Sequence, residues 1–215
     1  LHDRLTTKQA ACGDQEIFVG SGRGMGGSGS INGMVYTRGD KHDYVQWPEG
    51  WQWDDNLPFF KKLEDRLGIQ TKEPTVLTEK ILDAAEMTGF IRKNELNDGE
   101  LCGYFGYNTL NNVNGRRSSY VAFLKESNSQ NIRVETEAKL EKVNFEGKRA
   151  VSISYKQNGI SHTVKCNKEV IFCAGTLETP KLLMLSGLGP ADQLAKFGIP
   201  IVQDIPSIGR NLQDH

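Results

Sequence analysis

The chain has 215 residues, with 26 Lys plus Arg against 27 Asp plus Glu and a formal net charge of −1. That balance leaves no basic footprint for a nucleic acid or another polyanionic partner. The length suffices for one or two domains with a real core, and no apolar run reaches the ~20 residues of a membrane-crossing helix.

Residues 1–19 are poorly periodic, and residues 1–10 do not read as a signal peptide. Glycine and serine then dominate from Gly20 to Ser30. After them Ile31, Met34 and Val35 take up a helical spacing, which predicts a helix start behind a Gly-rich turn. Such a turn brings backbone N–H groups close to an anion, and a helix N-terminus favours negative charge. A flexible Gly/Ser linker is the alternative. Structured sequence follows at once, with Asn32 in the first turn and Arg38 just after it. A P-loop is excluded because no Gly-Lys-Ser/Thr follows. A Rossmann turn is excluded because strand, helix and ribose-binding acid do not surround it in order.

Tyr44, Trp47, Trp51 and Trp53 predict a packed surface loop, with stacking on a ligand as the other reading. Asp54 or Asp55 is expected to cap a helix running to about residue 66, with Pro58 in its first turn and Phe59, Phe60, Leu63 and Leu67 buried. A second amphipathic helix is expected over 77–88, burying Leu77, Ile81, Leu82 and Ala85 and stopped by Gly89. Residues 94–115 read as loop. Arg116 and Arg117 precede the apolar run 120–124, and either a diphosphate contact or a structural ion pair suits them.

From Asn131 the period becomes two. Strands are expected at 132–136, 140–145 and 151–155, and Asn158-Gly159 signals a type I′ hairpin into 160–164. This is an antiparallel meander. Residues 169–173 read as a short buried strand, followed by a helix over 178–186 and another over 191–197. Cys12, Cys102, Cys166 and Cys173 form no CxxC pair, so neither a metal site nor a disulfide framework is expected. Cys173 is expected to be a buried small hydrophobe. The fold class is α/β, an α+β mix of helices and antiparallel strands.

Three stretches together resemble one family. Gly26-Gly27-Ser28 … Asn32-Gly33-Met34-Val35-Tyr36-x-Arg38-Gly39 is similar to the first signature of the glucose–methanol–choline (GMC) oxidoreductases, which are FAD enzymes. Asp43-Tyr44, Trp47, Gly50-Trp51 and 57–64 continue that pattern. Ala174-Gly175-Thr176 … Thr179-Pro180-Lys181 to Gly189 is similar to a second signature, and 208–215 to a third. The resemblance runs from about Thr6 onward.

The resemblance implies a segment 1–39 that cradles FAD, a helical and loop-rich intermediate region 40–127, and a return to the FAD-binding domain over 128–215. Gly24, Gly26, Gly27 and Ser28 would supply the backbone approach. Asn32, Gly33, Met34 and Val35 would run beside the isoalloxazine. Leu140 would face the adenine through its backbone, and Ala174-Gly175 would lie near the nucleotide half. Asn32 also has a purely local reading, satisfying nearby backbone groups. Ser21-Gly22-Arg23 stands where the family usually has Arg-Gly-Lys, and Ser28-Gly29 where most members have Ser-Ser. Ile31 occupies the position of the His that tethers FAD in some members, so non-covalent FAD is expected.

The expected reaction is oxidation of a small-molecule alcohol such as choline or a sugar, with hydride passing to flavin N5 and electrons to an acceptor the sequence does not name. A flavin-binding or interaction module without catalysis is the other reading. No catalytic residue is assigned: His2, His42, His162 and His215 are not taken as the base. The chain begins without Met and stops at His215, and is expected to be a central piece whose dinucleotide fingerprint and catalytic His lie outside it. In the family, mitochondrial and secreted locations are both options.

Overall fold

A computed structural model describes residues 3–112, 114–127 and 129–213. The chain divides into two compact units, Leu1–Ser129 and Gln130–His215. Among the described residues no helix is long and apolar enough to cross a membrane.

In the first unit, residues 4–19 form a loose antiparallel pairing, with bridges Leu5↔Phe18 and Gln9↔Gln15. The Gly-rich stretch leads into strand β1 (Val35–Tyr36). Helix α1 (Trp53–Leu67) follows, then β2 (Gln70–Thr71), α2 (Val76–Met87), β3 (Ile91–Arg92), β4 (Tyr104–Phe105) and β5 (Thr109–Leu110). The sheet order is β1-β5-β2, antiparallel throughout, with Tyr36 opposite Thr109 and Thr71 opposite Thr109 on the other edge. Strands β3 and β4 pair in parallel. A single wide π-helical turn covers Tyr120–Lys125.

Helix α1 begins earlier than its acidic pair suggested. The Asp55 carboxylate accepts from the Gln52 N–H at 3.0 Å, so Asp55 works from inside the first turn and Gln52 is the cap. Pro58 therefore lies at the sixth position, where it leaves the Asp54 carbonyl without its helical donor. Gly68 closes the helix at φ 62°, a conformation with a Cβ penalty for other residues. The expected buried stripe is only half covered: Phe60, Leu63 and Leu67 are partly shielded, but Phe59 is 71% exposed. On α2, capped by the Thr75 hydroxyl accepting from Thr78 N–H at 3.1 Å, Leu82 is buried while Leu77 and Ile81 face solvent. Periodicity marks an apolar stripe; it does not say what covers it.

Two polar devices hold this unit. Tyr44 is buried among Trp47, Trp53 and Phe60, with ring centroids at 4.9, 5.5 and 6.2 Å. Its hydroxyl donates to the Arg38 carbonyl. Arg38 then clasps Glu64 of α1 through Nε and Nη2, at 2.5 and 2.6 Å, with side chains only 12% and 16% exposed. The third nitrogen, Nη1, donates to the Asn97 carbonyl, and the Tyr36 hydroxyl donates to Glu64 at 2.8 Å.

The second unit is the expected meander: β6 (Lys139–Glu146), β7 (Arg149–Gln157) and β8 (Ile160–Lys165), in the order β6-β7-β8. Asn158 and Gly159 sit at φ 51° and 81°, as a type I′ turn demands. Helix α3 (Gly175–Leu185) packs on β6, and β9 (Leu188–Gly189), α4 (Ala191–Lys196) and β10 (Gln203–Asp204) complete the chain, with β9 and β10 parallel. Val143 is 2% exposed, and its N–H donates to the Ser186 hydroxyl, which donates onward to the Leu182 carbonyl.

Two strand expectations fail here. Residues 132–136 and 169–173 are not strands, and no strand among the described residues pairs with either. Alternating or continuous apolar sequence supplies side chains for a strand, but the backbone still needs a hydrogen-bonding neighbour. Cys173, in the second of these segments, is exposed rather than buried. Helix α3 also starts three residues earlier than expected, at Gly175.

The Arg38–Glu64 pair yields a test. Its guanidinium holds the Glu64 carboxyl below its ordinary value of 4.5. The stabilisation is therefore complete above about pH 4.5 and is lost as pH falls through the lowered folded value. Glu64→Gln should lower stability at neutral pH by about 1.5–3 kcal/mol. Its urea midpoint should also vary less with pH than wild type across the acid range. Parallel wild-type and variant pH profiles would show that the pair is not coupled to folding.

Candidate functional site

The Gly-rich loop of the first unit is not a linker. The Gly22 N–H donates to the Ser28 hydroxyl at 3.0 Å, Gly27 N–H to the Gly24 carbonyl at 3.0 Å, and the Ser30 hydroxyl to the Met25 carbonyl at 2.8 Å. A single 3₁₀ turn, Gly27–Ser30, follows, with Gly26 as its cap at φ 86°. The expected α-helix does not form. The chain turns at Asn32 and enters β1 instead, so Val35 is a strand residue.

Asn32 explains the exit. Its N–H donates to the Ser28 carbonyl at 2.9 Å, and its side-chain oxygen accepts from the Met34 N–H at 3.1 Å. That short Asx turn supports Met34 at φ 66°, a left-handed conformation unusual for a side-chain-bearing residue. The local reading of Asn32 is thus realised. Arg116 adds a second set of bonds from a distant part of the unit. Its Nη1 donates to the Gly29 carbonyl at 3.3 Å and to the Asn32 side-chain oxygen at 3.2 Å, and its Nη2 donates to the Asn32 carbonyl at 3.1 Å. Arg117 points elsewhere, paired with Glu126 at 2.7 and 2.9 Å and with the Arg66 carbonyl. Arg117 thus makes a structural ion pair, whereas Arg116 is held by neutral oxygens of the loop.

The loop fits a closely approaching, negatively charged group on two counts. Among the described residues, the N–H groups of Gly24, Met25 and Gly26 have no hydrogen-bond partner. A side chain at Gly26 is strained: besides its positive φ, a Cβ there would strike the Ser30 hydroxyl and press on Ser118 and Tyr120. Gly22 is equally confined, its Cβ position filled by the Gly27 backbone. Gly24, Gly27 and Gly33 have open space at that position, so room for a ligand is left there. Sequence reasoning missed Gly22 and Ser30 as structural members of the loop. Their signal was present only as glycine and serine among many.

The remaining expected residues lie in the second unit. Leu140 is half-buried on β6, opposite Tyr155. Ala174 caps α3 without any side-chain bond, and Gly175 begins the helix at φ 87° with nothing within 4 Å of a would-be Cβ. The loop residues belong to the first unit and these three to the second.

Two of the four histidines are engaged elsewhere. His42 Nδ1 lies 2.7 Å from Asp40 Oδ1 on an exposed turn, and His162 stacks on Tyr155 at 5.1 Å across β7 and β8. His2 and His215 lie outside the described residues. Asp40 accepts first from the His42 N–H, then from its ring, and from the Leu101 N–H, which hold its carboxyl well below the usual range. A polar cleft of about 170 Å³ opens beside Arg38, Glu64, Asn97 and Thr109. All four of these side chains are already bonded within the Arg38 network.

A profile of the family described as GMC oxidoreductase matches residues 6–215. The oxygen-dependent choline dehydrogenase of Escherichia coli O17:K52:H18 is 35% identical over 226 residues, covering 94% of this chain and 41% of that protein. The mitochondrial choline dehydrogenase of Homo sapiens is 36% identical, covering 98% of this chain and 39% of that protein. Among solved structures, pyridoxine 4-oxidase from Mesorbium loti matches with a TM-score of 0.86 at 30% identity, over 99% of this chain and 46% of that one. An FAD-dependent oxidoreductase from Chaetomium thermophilum matches with a TM-score of 0.85 at 27% identity, over 98% of this chain and 42% of that one. The chain spans about two fifths of the length of the curated relatives it matches.

Gly26→Ala tests whether the loop is a built cradle. The strain and the Ser30 clash should cost about 1–3 kcal/mol locally. Limited proteolysis at Arg23 should accelerate while cleavage in the meander stays unchanged. Equal cleavage at Arg23 in both proteins would mean that the loop is already open.

Proposed function

The chain belongs to the GMC oxidoreductases, and from that membership we propose that the whole protein is an FAD-dependent oxidoreductase acting on the CH–OH group of a small alcohol, such as choline or a sugar. The observation that carries this reading is the Gly22–Asn32 loop, with free donors at Gly24, Met25 and Gly26 and strain on any side chain at Gly26. Its support comes also from choline dehydrogenases at 35–36% identity and from an FAD-dependent oxidoreductase among the similar structures.

In this proposal Gly24, Gly26, Gly27 and Ser28 bring backbone N–H groups to the cofactor. Asn32, Gly33, Met34 and Val35 adjoin its ring system, Leu140 meets the adenine through backbone, and Ala174-Gly175 meets the nucleotide half. Bound FAD supplies the acceptor for hydride from the alcohol carbon. The chain's own part is to hold that acceptor without reorganisation: the Asx turn at Asn32 fixes the backbone beside the ring before the cofactor binds. A preorganised donor set costs nothing at the moment of reaction. No residue of this chain is assigned as the base that takes the hydroxyl proton. His42 and His162 are occupied by Asp40 and Tyr155.

Ile31 carries no nucleophile, so the proposal includes non-covalent FAD. Acid precipitation of the purified whole protein should leave the yellow colour in the supernatant. A yellow pellet would refute that part. Anaerobic addition of choline or a sugar alcohol should bleach the flavin absorbance. A yellow protein that no alcohol bleaches would be the flavin-binding module without catalysis, and a colourless protein that takes up no added FAD would refute the reading altogether.

A further inference from the structure

We propose that Arg116 is a positioning residue for the flavin site, acting through Asn32. The inference rests on the reading that Asn32 adjoins the flavin, and it concerns what Asn32 offers there.

A carboxamide has one acceptor oxygen and two amide hydrogens, so its role depends on which end is held. Here the oxygen is held twice. It accepts from the Met34 N–H at 3.1 Å and from Arg116 Nη1 at 3.2 Å. Both lone pairs of the oxygen are thereby used, and the amide nitrogen has no partner among the described residues. Rotating the carboxamide by half a turn would aim N–H groups at two donors, which is repulsive on both sides. Asn32 is therefore fixed as a hydrogen-bond donor. The group it presents suits an acceptor atom of a heterocycle: a ring nitrogen or a ring carbonyl.

Arg116 does more than orient that side chain. Its planar fork also takes the carbonyls of Gly29 and Asn32, at 3.3 and 3.1 Å. These carbonyls lie on either side of the bend between the 3₁₀ turn and β1. One half-buried guanidinium thus sets the curvature of the loop and the direction of its amide at once. Lysine cannot replace it, because a point charge on a flexible stem does not reach three acceptors in one plane. Residue 116 is 84 positions from Asn32, and Arg117 beside it serves α1 and Glu126 instead. The division of labour between two adjacent arginines is visible only in the fold.

The test compares Arg116→Ala, Arg116→Lys and Asn32→Asp in the whole protein. Hydrogen–deuterium exchange of peptides spanning 27–36 is read in the flavin-free form, and FAD affinity is read by fluorescence titration. Asn32→Asp keeps the acceptors for Arg116 and Met34 but removes the donor. It should leave exchange unchanged and weaken FAD binding by about tenfold, the loss of one good hydrogen bond. Arg116→Ala should raise exchange and weaken FAD binding at least as much, and Arg116→Lys should fail to restore either. Unchanged exchange in Arg116→Ala overturns the clamp. A loosened loop with unaltered FAD affinity overturns the positioning role, as does an Asn32→Asp protein that binds FAD like wild type. Failure of the functional reading is distinguishable, because wild-type protein would then take up no FAD while the exchange difference persisted.

Discussion

The clasp between Arg38 and Glu64 is the interaction on which the first unit depends. Apolar burial there is thin: Tyr44, Leu82 and Ala122 are its buried apolar residues among those described. Three pieces of chain distant in sequence converge on the guanidinium instead. Arg38 follows β1, Glu64 lies on α1, and Asn97 comes from the loop before β4. Asn97 then reaches Thr109 on β5 at 2.9 Å, and Thr109 returns to the Tyr36 carbonyl at 3.0 Å, closing the circuit. A partly buried ion pair repays its desolvation only when its remaining donors are satisfied. Here each of the three guanidinium nitrogens has a partner, Nη1 taking the Asn97 carbonyl. Burial and the neighbouring Glu64 push the Tyr36 hydroxyl far above its ordinary value, so it stays a donor. Because β1 is also the exit of the Gly-rich loop, this circuit fixes where the loop ends.

What the sequence could disclose was local. The hairpin was legible because Asn158-Gly159 carries its own conformational demand, and α1, α2 and α4 because 3.6-residue spacing is written within a few turns; the start of α1 was misplaced onto Asp54 or Asp55, and Gln52 caps it. The strands that failed, at 132–136 and 169–173, had the right side chains, but pairing is a property of the neighbour. Phe59, Leu77, Ile81 and Cys173 failed similarly: apolar character was read correctly and burial was not.

The candidate site divides along the same line. Glycine content announced a backbone that other groups approach closely, and at Gly26 those groups are the chain's own Ser30, Ser118 and Tyr120. The α-helix expected behind the loop did not follow, because Asn32 turns its oxygen back onto Met34 and commits the chain to a strand. Arg116 could not be separated from Arg117 in sequence, since both sit in the same dipeptide and carry the same chemistry. Only their distances to Asn32 and Glu126 tell them apart.

The aromatic knot around Tyr44 has an optical consequence. The three tryptophans of this chain are Trp47, Trp51 and Trp53, all within one short stretch of the first unit. Trp47 and Trp53 touch the Tyr44 ring, whereas Trp51 is largely in water. Indole emission from these residues therefore reports the packing of that knot, and the second unit contributes no tryptophan of its own. The meander's own Phe and Tyr side chains are Phe145 and Tyr155, so its melting is followed by a backbone-sensitive signal such as far-ultraviolet dichroism.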